Sequence, residues 1–200
     1  MILWKTRQLA MQLGVSDESS AALEQSRQHI VDFYWSNATG CFRDELAKPN
    51  SYSSDWLLAP AIGLVDYSGD YGKLSSCVSY IRQEHLADPL PIQYTHDVTE
   101  SPWAVRTFAP GYGSSAIWSY WGSEYITLLA QLNKVQPNKA DYTEAVADVK
   151  KWDRAMVHNH GYPETLDTKG NFLQTPLYKS IRSTGWVVQL EYAKQLLSIE

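Results

Sequence analysis

Residues 140–156 read ADYTEAVADVKKWDRAM. Tyr142, Val146, Val149, Trp152 and Met156 recur at the three- and four-residue spacing of one helix face, and charged residues fill the rest of the turn. This predicts an outer helix over 138–158 with a narrow buried stripe. The stretches SSDWLLAPAIGLV (53–65) and GWVVQLEYAKQLL (185–197) keep a helical period but lack a charged face, and read as inner helices buried all round.

Carried along the chain, the same reading predicts seven helices, over 2–14, 17–36, 54–66, 69–87, 114–132, 138–158 and 181–199. Ser16 and Ser68 are the expected caps of the second and fourth. Pro60 should delay or kink the third. The first, third, fifth and seventh hold 8 charged residues in about 64 positions; the other three hold 17 in about 60. Inner and outer helices thus alternate. Connections alternate too, short near 15–16, 67–68 and 133–137, and long near 37–53, 88–113 and 159–180. Long loops in a compact domain are usually functional. Antiparallel hairpins would gather all three at one end. The expected fold is all-α: a partial (α/α)6 toroid of about seven helices, with residues 1–200 forming one domain, the C-terminal part of a larger catalytic toroid. A helical solenoid is the alternative, but no 34- or 40-residue repeat supports it.

Composition bounds the function. Two hundred residues suit one domain that buries roughly 70% of its unfolded surface, so no metal or disulfide staple is required. A net charge of −5 argues against nucleic acid. No run of 18 apolar residues exists to cross a membrane. Cys41 and Cys77 are too few for a disulfide framework and read as reduced packing residues. The opening MILWKTRQLA has its charges after the apolar run, the reverse of a secretory signal, and a cytoplasmic setting is slightly favoured. Asn37-Ala38-Thr39 is a glycosylation sequon, a triplet common by chance. Eight Trp and 13 Tyr stand against four Phe. Their flat apolar faces and polar edges suit a pyranose, with its C–H face and hydroxyl rim.

The loop His158-Asn159-His160-Gly161-Tyr162-Pro163-Glu164-Thr165-Leu166-Asp167 precedes Tyr178 and Ser183-Thr184-Gly185-Trp186. With Ser53-Ser54-Asp55-Trp56 and Trp118-Ser119-Tyr120-Trp121, it resembles the six-hairpin glycosidases. The likeness is to the C-terminal part of amylo-1,6-glucosidases and related α-glucosidases and trehalases. The resemblance implies an inverting, exo-acting glycoside hydrolase that needs no cofactor or metal and takes a carbohydrate substrate. Two carboxyl groups work in such a reaction, one protonating the leaving oxygen and the other activating water. Glu164 matches the family's general base, in the loop before the final inner helix. The family's acid would precede Met1; the in-chain substitutes are Asp44, Asp55, Asp97 and Glu100.

Asp55 stands at an inner N-terminus, where a helix dipole favours the charged form, so it is expected to contact a substrate hydroxyl. Trp56, Trp118, Trp121 and Trp186 are candidate walls of a sugar subsite, and Tyr162, Arg106 and Tyr112 candidate contacts. Glu164 should sit beside Trp186 and at least one of the other three tryptophans. His158 and His160 do not share a helix face, Gly111-Tyr112-Gly113 lacks a phosphate-loop lysine, and no Gly-x-Ser-x-Gly occurs. The competing reading is a non-catalytic carbohydrate-binding or assembly module. Seven helices cannot close a ring of twelve, so ILWKTRQLAMQL should leave an apolar flank for self-association or an N-terminal partner segment.

Overall fold

The structure, a computed structural model, describes residues 1–44, 51–96 and 103–199. The described residues are mostly helical, with eight α-helices among them: α1 Ile2–Gln12, α2 Ser20–Tyr34, α3 Leu58–Ala61, α4 Tyr71–Gln83, α5 Trp103–Phe108, α6 Ser119–Val135, α7 Lys139–Asn159 and α8 Val187–Leu197. Two short antiparallel pairs join them: β1 Trp35–Ser36 with β2 Cys41–Phe42, and β3 Ile117–Trp118 with β4 Thr165–Leu166. No described helix is long and apolar enough to cross a membrane.

The centre is α6. Its residues 122–130 are all buried, and it packs against both α7 and α8. Leu128, Leu129, Leu132 and Ile126 supply the apolar surface, and only Glu124 and Lys134 are charged. The helix ends before Gln136-Pro137, where proline disfavours a helical residue ahead of it. Three residues later Asn138 caps α7 by accepting the Ala140 N–H at 2.9 Å. So short a connection makes α6 and α7 antiparallel neighbours. Gly122 leaves room for Trp152 of α7: a Cβ there would lie 2.8 Å from Trp152 Nε1 and nearer still to the Pro91 carbonyl oxygen. Trp152 is fully buried in that space.

Val149 and Trp152 of the expected α7 stripe are buried, and Val146 and Met156 pack partly buried against the core. The buried residues of α7 are Asp141, Ala145, Asp148, Val149, Trp152, Ala155 and Asn159, while Tyr142 is 39% exposed. Arg82 of α4 draws the N-terminal turns inward through Asp141 at 2.6 Å and Glu144 at 2.8 Å.

Several expected elements differ. The N-cap of α2 is Ser19, which accepts the Ala22 N–H; Ser16 instead receives the Glu18 N–H upstream. Helix α4 starts after Asp70, not Ser68. The helix expected over 54–66 shrinks to a 3-10 turn, Ser54–Leu57, followed by the single turn of α3, with Pro60 inside it. Helix α5 lies in a stretch read as loop.

Low charge did not guarantee burial. Only Trp4 of α1 is buried, its indole donating to the Leu23 carbonyl at 3.2 Å, whereas Ile2 and Leu3 are 71% and 73% exposed. Helix α8 buries one stripe, Leu190, Ala193 and Leu197, and leaves Val188 in solvent. Depleted charge permits burial, but a neighbour must supply it.

The cysteines are also corrected. Cys41 on β2 and Cys77 on α4 form a disulfide, with Cα atoms 4.5 Å apart. An oxidised pair weighs against the cytoplasmic lean of the sequence, because disulfides persist mainly in oxidising compartments.

Candidate functional site

The chain turns at the N-terminal end of α6 assemble a small carboxylate and aromatic site. In the β3–β4 pair Trp118 lies opposite Thr165, so Glu164, just before β4, reaches the first turn of α6. The Glu164 carbonyl accepts the Ser119 N–H at 3.2 Å, and its own N–H donates to Ile181 O at 2.8 Å. Residues 164–166 are therefore held on both sides, and the side chain starts from a fixed backbone.

Two phenols hold the half-buried carboxylate. Tyr112 donates to Oε1 at 2.9 Å and Tyr178 to Oε2 at 3.2 Å. The Ile181 N–H adds a longer contact to Oε2 at 3.4 Å. Burial pushes both phenols up, and the Glu164 charge pushes them further. They stay protonated donors at neutral pH. Tyr112 is itself positioned by Trp118, whose indole N–H donates to its carbonyl at 3.0 Å and whose ring lies 4.8 Å away.

Trp118 continues the aromatic surface. It stacks on Trp186 with centroids 6.2 Å apart; Trp186 meets Tyr120 at 5.6 Å, and Tyr120 meets Trp121 at 4.7 Å. The structure thus brings Glu164, Tyr112, Trp118 and Trp186 together, with Trp121 at the far edge.

Asp55 is linked to the same indole through Tyr94. Tyr94 donates to its Oδ2 at 2.8 Å, and the Tyr94 ring lies 5.9 Å from Trp118. Burial raises the Asp55 carboxyl above its ordinary value, partly offset by that hydrogen bond. This reverses the expectation of a dipole-stabilised charge. The segment here is two single turns, too short to develop a strong dipole, so desolvation dominates. Asp55 also lines a cavity of about 250 Å³ with Asp44, Arg43, Trp56 and Tyr34.

Other candidates fall elsewhere. Tyr162 is buried in the core, its ring 5.4 Å from Trp152 and its hydroxyl bonded to Ser123 and to the Ser119 carbonyl. It supports α6 and is not placed to contact substrate. Trp56 is buried against Phe42 and faces the Asp55 cavity. Arg106 is exposed on α5 and makes no described ion pair with Glu164. Asp97 and Glu100 lie outside the described residues. Among the described residues no three His, Cys, Asp or Glu side chains converge on a metal position.

Sequence reasoning missed Tyr94 and Glu124. Tyr94 carries no local signal, because its partner lies 39 residues earlier. Glu124 is the one acid on the otherwise charge-poor first four turns of α6, a visible anomaly. It is only 5% exposed, and burial pushes its carboxyl up to about 7 despite hydrogen bonds from Tyr120 and Gln189.

Comparison with known protein families, with curated proteins and with solved structures finds no match to this chain.

Proposed function

We propose that the chain is an inverting glycoside hydrolase of six-hairpin type, or the C-terminal part of one, exo-acting on an α-glucoside-like sugar. The observation supporting this reading is the Glu164 carboxylate, gripped by two phenols beside the Trp118–Trp186 stack. Indole faces match the C–H face of a pyranose. Glu164 accepts a proton from the attacking water, and the phenols orient the carboxylate for it. Asp55, linked through Tyr94 to the Trp118 surface, takes the acid role, and burial favours its protonated form. It gives that proton to the departing glycosidic oxygen while Glu164 works from the opposite face.

The test is hydrolysis of maltose- and trehalose-type substrates, with the anomer of the released sugar followed by NMR. Inversion is expected. Glu164→Gln should lower turnover by about 10²–10⁴-fold, because the amide keeps the shape but cannot take water's proton. Tryptophan fluorescence should show sugar binding retained. Retention of configuration, or an unchanged rate in the variant, overturns the assignment.

A second reading is a non-catalytic carbohydrate-binding or assembly module. The exposed Ile2, Leu3 and Leu9 on α1, and Leu13 just after it, favour it, since no described residue covers them. Sugar binding without hydrolysis, together with concentration-dependent association in sedimentation, would select this reading.

A further inference from the structure

We propose that Asn37 is an N-glycosylation site and that the first sugar of its glycan rests against Trp35. Three observations meet on one short hairpin, and none belongs to the Glu164 site.

The first is placement. Asn37-Ala38-Thr39 is the only Asn-x-Ser/Thr triplet in the sequence, and its middle residue is not proline. It occupies the turn between β1 and β2, closed by the Gly40 N–H donating to Ser36 O at 2.9 Å. Gly40 takes φ +68°, which lets the chain reverse without Cβ strain. Asn37 and Ala38 are both exposed. A bulky, hydrophilic addition here displaces no packed group.

The second is oxidation state. Cys41, two residues beyond Thr39, is half of the disulfide to Cys77. Stable disulfides form in the oxidising lumen where N-linked glycans are attached. The pairing therefore supplies the context that the triplet alone lacks.

The third is the aromatic neighbour. Trp35 Nε1 donates to Asn37 Oδ1 at 3.0 Å. That bond uses the side-chain carbonyl and sets the amide beside the indole. The half-buried Trp35 is braced edge-on by Phe42, with centroids 5.3 Å apart. A sugar on Nδ2 starts next to a fixed indole, and N-acetylglucosamine has an apolar C–H face to lay on it.

The chemistry is a transfer from a lipid-linked oligosaccharide diphosphate. Asn37 Nδ2 bonds to C1 of the first N-acetylglucosamine. The C1–O bond to the diphosphate breaks, its electron pair leaves with the lipid diphosphate, and the amide loses one proton to the transferase's base. No oxidation or reduction occurs.

The test is secretion of the full chain from a eukaryotic host behind a cleavable leader. Intact mass before and after peptide-N-glycosidase treatment is the readout, with site mapping by peptide mass. The enzyme should remove the glycan and convert Asn37 to aspartate. Asn37→Gln and Thr39→Ala should lack the modification, whereas Thr39→Ser should keep it. The secreted, disulfide-bonded chain with unmodified Asn37 would overturn the site. For the contact, glycan trimmed to one sugar should show upfield-shifted N-acetylglucosamine protons from the indole ring current, lost in Trp35→Leu. Unshifted protons in the parent chain would overturn the stacking.

Discussion

Replacing Cys41 and Cys77 together by alanine should remove about 4 kcal/mol of stability. The bond closes a loop across 36 residues of sequence. Chain-entropy arguments give that figure for a loop of this length, through the freedom regained by the unfolded chain. Alanine suits the test because both positions are buried among apolar residues and would strand a hydroxyl. The measurement is urea unfolding of both proteins, with the parent repeated under reducing conditions. The reduced parent should fall to the stability of the double variant. Alkylation without reduction should label neither cysteine in the folded parent. Two labelled thiols, or equal stability before and after reduction, would show that the bond does not hold the hairpin to α4.

Glu124→Gln should stabilise the protein at alkaline pH and leave it unchanged in acid. The folded carboxyl is raised to about 7 by burial, whereas the free group titrates near 4.5. A raised pKa means that the folded state holds its proton more tightly than the unfolded chain. Its stabilising contribution is complete below about 4.5 and is lost as pH rises through about 7. A shift of this size corresponds to about 3 kcal/mol between the two limits. The amide never ionises, so the variant should exceed the parent by that amount at pH 8 and match it at pH 4. Buried Asp148, raised to about 6 despite Lys151 at 2.8 Å, weakens both proteins in the same way and cancels in the difference. Unfolding of parent and variant across this range checks the claim; a gap that does not change with pH would refute it.

Periodicity and charge content are local properties, and they located most helices in advance. Helix α6 has one acid in its first four turns and α7 alternates charge with apolar residues, so their inner and outer characters stood in the residues themselves. The position of Glu164, in the loop ahead of the last helix, was legible for the same reason. Periodicity failed where a neighbour decides. Of the stripe expected on α7, Val149 and Trp152 are buried and Val146 and Met156 partly so, whereas Tyr142 is 39% exposed and Arg82 draws Asp141 and Glu144 inward at that end. Tyr162, in the loop expected to touch sugar, turns instead to the Ser119 carbonyl.

The sequence by itself determined that the chain is helical, that Trp56, Trp118, Trp121 and Trp186 stand near helix starts, and which residues are able to be buried. Tertiary structure alone decided that Cys41 meets Cys77, that Tyr94 joins Asp55 to the Trp118 surface, and that Tyr112 and Tyr178 converge on Glu164. It also decided the protonation tendency of Asp55. The reason is that helical spacing constrains residues three or four apart, while each of these contacts joins groups 14 to 52 positions apart, and desolvation depends on every atom that arrives from such distances.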